Sequence, residues 1–170
     1  MHYLRRRFDE AIEGYKKYVR LRPKDADGFN QLAIVYVESG QHEAALEHYK
    51  RSIELKPHHV LWYSLSSALT HLGRHEEAIE ALKKSLEIKK EFTHAHYALG
   101  IAYTTLGRHA EAAESFRTLV NLEPRNVEAN LKLCMAYVYL SDDAAALQQY
   151  RALELLDDKV AGQIRNMIFK

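Results

Sequence analysis

The chain has 170 residues, of which 47% are hydrophobic and 28% charged, with a net charge of +1. This is the balance of a folded globular chain, too near neutral for a dedicated nucleic-acid binder. Three prolines and seven glycines exclude a flexible linker, and no apolar run reaches the roughly 18 residues of a membrane span.

Residues 1–24 open the chain with eight Lys/Arg against three acids. Such a basic head reads first as a solvated helix face, with an acidic partner, nucleic acid or anionic lipid as the alternative. Met1 to Arg7 lack the apolar region of a secretory signal. The run Phe8-Asp9-Glu10-Ala11-Ile12, with Tyr15 beyond it, predicts a helix whose own partner is mostly missing. Residues 1–24 are therefore expected to be a half-repeat, with the chain cut from a longer array or its Phe8/Ile12/Tyr15 edge covered by something else.

Residues 25–58 predict a helix pair. Phe29, Leu32, Ala33 and Tyr36 recur at helical spacing, Ser39-Gly40 breaks the run, and a second helix extends to Leu55 before Pro57. The same pattern returns in 59–92, 93–126 and 127–158. Ala11, Ala45, Ala78, Ala112 and Ala146 mark the period at steps of 34, 33, 34 and 34. Tyr15, Tyr49, Leu82, Phe116 and Tyr150 follow four places later, and Leu32, Leu65, Leu99 and Leu133 keep register upstream. The short step lies between Pro57 and Trp62. Gly40, Gly73 and Gly107 fall at one turn, where a left-handed residue closes the first helix. Ser141 takes that place in 127–158, and Asp142 or Asp143 can cap the next helix. Pro23, Pro57 and Pro124 end second helices; Lys90 stands where a further proline would fall, so that helix is expected to run on slightly.

A small residue follows each recurring leucine: Ala33, Ser66, Gly100, Cys134. Small side chains there let two helix axes approach. Cys134, the only cysteine, thus reads as a small buried hydrophobe, and no intrachain disulfide is possible. Residues 159–170 place Val160, Ile164, Met167 and Ile168 on one helix face, which predicts a capping helix; the start of a further repeat or a partner-binding helix is the alternative.

The pattern Trp62, Leu65-Ser66, Leu69, Gly73, His75, Ala78, Leu82, renewed as His96, Leu99-Gly100, Tyr103, Gly107, His109, Ala112, Phe116 and closed by Pro124, resembles the tetratricopeptide repeat. The likeness spans residues 8 to about 157. It implies an all-α, right-handed superhelical solenoid of antiparallel helix pairs. About four full repeats (25–58, 59–92, 93–126, 127–158) would follow the half-repeat, with a capping helix over 159–170, the whole forming a single array.

Each first helix carries a second stripe at spacings of 3, 4 and 3, which lie along one face. The stripes are Asp27, Asn30, Ile34, Val37; Val60, Tyr63, Ser67, Thr70; His94, Tyr97, Ile101, Thr104; and Glu128, Leu131, Met135, Val138. The resemblance implies that this face lines a concave groove for a peptide or protein segment. Tyr63, Tyr97, Ile101, Leu131 and Met135 would anchor the ligand, joined by Tyr139 and His71. Asn30, Ser67, Thr70 and Thr104 would orient its backbone. Packing against a neighbouring repeat is the other reading of any one of these side chains. Family members that clamp a terminal carboxylate use cations and asparagine on this face; here Asn30 remains, but Ile34, Ser64, His94 and Ala98 hold the other places, so that capture is not expected.

Ten histidines raise a metal reading that spacing does not support. His94 and His96 point to different helix faces. His42, His75 and His109 fall in register as packing or capping groups. His71 and His75 flank Gly73 and can approach each other, but no carboxylate or cysteine completes a set. No phosphate loop or nucleophile elbow occurs, and Glu76-Glu77 and Asp142-Asp143 read as caps at helix starts. No catalytic residue, cofactor or metal is expected. The expected function is a non-enzymatic scaffold binding a protein or peptide, without nucleic acid or a membrane span. Two alternatives are a recognition or targeting arm of a larger enzyme or assembly factor, and a homo-oligomer formed through the N-terminal half-repeat. A cytoplasmic location is expected, or a periplasmic one if the chain is a fragment.

Overall fold

The computed structural model describes residues 2–169, with side chains from Arg7 onward. Met1, Lys170 and the first arginines of the basic head lie outside what is described at side-chain level. All regular structure among the described residues is helical. The chain divides into two compact units, residues 1–90 and 91–170. The first holds α1 (His2–Leu21), α2 (Ala26–Glu38), α3 (His42–Leu55), α4 (His59–His71) and α5 (His75–Ile88). The second holds α6 (Thr93–Thr105), α7 (His109–Leu122), α8 (Val127–Tyr139), α9 (Asp143–Leu156) and α10 (Asp158–Ile168).

Each helix pair is joined by a turn that closes the first helix in a Schellman motif. In the first unit Gln41 N–H donates to Tyr36 O at 2.8 Å and Arg74 N–H to Leu69 O at 2.9 Å. In the second, Arg108 N–H donates to Tyr103 O at 2.9 Å and Asp142 N–H to Tyr137 O at 3.0 Å. The residue before each donor must be left-handed. Gly40, Gly73 and Gly107 have φ of 78°, 72° and 70°, and Ser141 adopts 56° in the same place.

Within the first unit, α1 lays Ile12 and Val19 on α2, and both are buried. Tyr15 packs beside them, so this edge is partly covered from within the unit. The core continues through Leu32, Ala33, Tyr49, Leu65 and Leu69. Two buried serines pin the last turns of the second helices, a feature the periodicity does not signal. Ser52 Oγ donates to Ala26 O and Ser85 Oγ to His59 O, each at 2.8 Å. The α5 helix does not run on past its siblings: it has 14 residues, as do α3 and α7. Lys89 turns extended, so the helix stops just past the Ser85 anchor without a proline.

In the second unit the equivalent of those serines is leucine: Leu119 and Leu153 are fully buried. The α10 helix packs on α8 and α9, burying Ala161 and Ile164 with Val160 and Ile168 alongside. Met167, expected in that stripe, is instead exposed. It lies beside the Val160/Ile164/Ile168 row, and Ala161 completes the buried face in its stead.

Candidate functional site

The stripe of the first unit runs along α2 and α4. Asn30 lines a recess of about 310 Å³ with Ala26, Asp27, Lys56, His58, Val60 and Leu61. The α3–α4 connection supplies Lys56 and His58, two residues outside the sequence-derived stripe. His58 Nδ1 also accepts from Val60 N–H at 3.3 Å, capping α4. Further along α4, Tyr63 and Ser67 are half-buried and Thr70 exposed. Thr70 Oγ1 donates to Ser66 O at 2.9 Å, so its hydroxyl is left to accept from a ligand rather than donate. His71 Nδ1 meets Ser67 O at 2.8 Å.

His71 pairs with a different histidine from the one its spacing suggests. Its ring stacks on His42, centroids 4.6 Å apart and planes 18° from parallel. His75 lies one turn beyond Gly73 on its own helix, whereas His42 opens the preceding second helix and faces the end of α4. The second unit repeats this arrangement with Tyr139 on His109, at 4.7 Å and 18°. Register carries the signal: each stacked pair joins the last residue of a first helix to the first residue of the preceding second helix. His42, His75 and His109 cap nothing; each keeps a buried Nδ1 without a hydrogen-bond partner. Of the acidic pairs, Asp142 caps α9 through Ala145 N–H, whereas Glu77 bonds Arg74, which also reaches Glu43.

In the second unit the stripe runs along α6 and α8. Tyr97 and Ile101 are half-buried, as are Thr104, Leu131 and Met135, while Tyr139 is 51% exposed. Tyr97 does two jobs. Its ring meets Phe116 edge-on at 6.2 Å, and its hydroxyl donates to Glu128 at 2.5 Å, tying α6 to α8. Burial first, then the Glu128 carboxylate, pushes this phenol up to about 12. Thr104 Oγ1 donates to Gly100 O at 2.8 Å, again leaving only acceptor capacity. Leu131 and Met135 pack against the Cys134/Tyr150/Ile164 cluster that α10 completes. Cys134 itself is fully buried, its Sγ 3.4 Å from Ala146 O, and burial pushes its thiol up to about 11.

No group of three or more metal-ligating side chains is found among the described residues, and no described helix is long and apolar enough to cross a membrane. Within each unit the stripe residues place half-exposed aromatic or aliphatic side chains beside threonine hydroxyls that keep acceptor capacity, and the first unit adds the Asn30 amide.

The chain belongs to the tetratricopeptide-repeat family, a class of helical protein-interaction scaffolds. Two family profiles described as tetratricopeptide repeat match residues 59–122 and 97–161. A third, described as anaphase-promoting complex, cyclosome, subunit 3, matches residues 4–85. Among curated protein sequences none gives a significant match. Solved structures with the same fold include a MamA protein, 25% identical, with a TM-score of 0.81 over 91% of this chain and 85% of that one. YrrB, described as a TPR protein with an unusual peptide-binding site, is 20% identical, with a TM-score of 0.79 over 95% of this chain and 84% of that one. MamA of Desulfovibrio magneticus RS-1 is 19% identical, with a TM-score of 0.77 over 93% of each chain.

Proposed function

We propose that the protein is a non-enzymatic scaffold that binds an extended or helical polypeptide along the stripe faces of its first helices. One observation carries this reading. Tyr63 on α4 and Ile101 on α6 sit half-exposed, each on a helix face separate from its own helix's buried core face of Leu65 and Leu69 or Leu99 and Tyr103. Large apolar side chains kept out of the core and lined up along a helix face are the usual mark of an interaction surface. YrrB, with the same fold, is described as having a peptide-binding site, which supports polypeptide as the ligand class. Asn30 and the free lone pairs of Thr70 and Thr104 would hold the ligand backbone, and the apolar side chains would supply most of the affinity.

The test begins with peptides selected from a random displayed library on the purified chain, their affinity then measured by calorimetry. Ile101→Arg should weaken a selected peptide by about tenfold or more, equivalent to about 1.4 kcal/mol, with the melting temperature unchanged. Equal binding by wild type and Ile101→Arg for every selected peptide would remove the stripe from consideration.

A further inference from the structure

Four exposed places recur in register along α3, α5, α7 and α9. They are spaced 4, 3 and 4 apart, so each set shares one side of its helix. In α3 they hold Glu43, Glu47, Lys50 and Glu54, and in α5 Glu76, Glu80, Lys83 and Glu87. In α7 they hold Ala110, Glu114, Arg117 and Asn121. In α9 only one charge is left, and the set reads Ala144, Gln148, Arg151 and Leu155. Leu155 is 90% exposed where the other three helices carry a polar residue. Lys83 and Arg117 each bond the glutamate three places earlier, whereas Arg151 has the uncharged Gln148 there. A helix side that sheds its charges and presents a bare leucine to water is the mark of a contact surface.

We propose that a second copy of this chain covers that side, the two α9 helices packing antiparallel across a two-fold axis. The 4-3-4 spacing is that of a coiled-coil seam, and a two-fold contact must be complementary to itself. An axis between Gln148 and Arg151 meets that demand. It sets Leu155 of each copy over Ala144 of the other, so a large side chain meets a small one twice. It also sets Arg151 beside Gln148 of the other copy, where the guanidinium donates to the amide oxygen. The same pairing of α3 would oppose Glu54 to Glu43, and that of α5 would oppose Glu87 to Glu76, like charges that repel. In α7 it would only lay Asn121 on Ala110. A pair of 14-residue helices is smaller than the roughly 800 Å² per partner of a standard interface, so the dimer is a weak one.

Sedimentation equilibrium of the full chain, from roughly 10 to 500 µM to suit a small interface, is the first test. The average mass should rise from 19.7 kDa toward twice that value. Leu155→Glu puts back the residue type of Glu54 at an exposed position. It should weaken the dimer at least about tenfold with the melt unchanged, and Ala144→Glu should do the same. Disulfide trapping with a mild oxidant then reads the register, since Cys134 is fully buried and stays out of the reaction. An equal mixture of Ala144→Cys and Leu155→Cys chains should cross-link. Either variant alone should not, because residue 155 lies 11 residues (155 − 144) from its own counterpart along the axis, or about 16 Å. The proposal fails if the mass stays at 19.7 kDa throughout. It fails equally if Leu155→Glu associates as well as wild type, which would place the contact on another surface. Cross-linking of Leu155→Cys alone as fast as the mixture would overturn the antiparallel pairing.

Discussion

Gly100 lies so close beneath the Phe116 ring that a Cβ there would stand 2.6 Å from Cε1 and Cζ. Phe116 is 1% exposed and has no room to move aside. Gly100→Ala gains up to about 1 kcal/mol in helix propensity but overpacks the core at a cost of about 1–3 kcal/mol. A net loss of about 1–2 kcal/mol is expected in urea unfolding. Phe116→Leu, the residue type that Leu82 supplies in an earlier repeat, should restore much of the loss when combined with Gly100→Ala. Full stability of the single variant would show that the ring is not fixed.

Ser141 holds φ at 56° where its three siblings are glycine. A left-handed non-glycine residue costs roughly 1–2 kcal/mol, so Ser141→Gly should raise stability by about 1 kcal/mol. Gly73→Ala should lower it by a similar amount, since nothing lies within 4 Å of the added Cβ and only backbone strain acts. Thermal melts of the two variants check the pair, and a shift in the same direction for both would contradict it.

Burial holds the His48 imidazole below its ordinary value of 6.5. Above 6.5 the folded and unfolded chains both carry it neutral, and its effect on stability is nil. As pH falls through 6.5 the unfolded chain takes up the proton first, so stability declines until the lower folded-state pKa has been passed. Melting temperatures from pH 8 to pH 5, roughly the window in which histidine titrates, should fall less steeply for His48→Gln than for wild type. Parallel profiles would place the burial effect elsewhere.

Cys134 is fully buried, with its thiol pushed up to about 11. Thiolate is the reactive form, so a chromogenic thiol reagent should label nothing in native buffer at neutral pH. Labelling should appear stoichiometrically as denaturant passes the unfolding midpoint. Rapid labelling of the native chain would mean that α8 opens locally.

Hydrophobic periodicity made the helix pairs readable, because an amphipathic helix must present its buried residues every three or four places. It equally located the left-handed turn, including Ser141, since the register demanded such a residue whatever its type. Side-chain partnerships were less readable. Spacing suggested His71 with His75, two residues either side of a turn, yet His71 stacks on His42 in the preceding pair. Lys90 suggested a longer α5, but its last turn is fixed by the Ser85 hydroxyl on His59 O, a bond between residues 26 apart. The stripe itself was readable as a face. That Thr70 and Thr104 turn their hydroxyl protons back into their own helices was not.

The sequence by itself determined the repeat, its two-helix unit, the position of every turn and which residue of each pair must be small. These depend on local backbone geometry and on a pattern renewed every 34 or 33 residues. Only the tertiary structure decided which rings meet between neighbouring pairs and which stripe residues also serve the core. Those outcomes turn on distances between side chains that are far apart in the chain, which the period of the sequence does not carry.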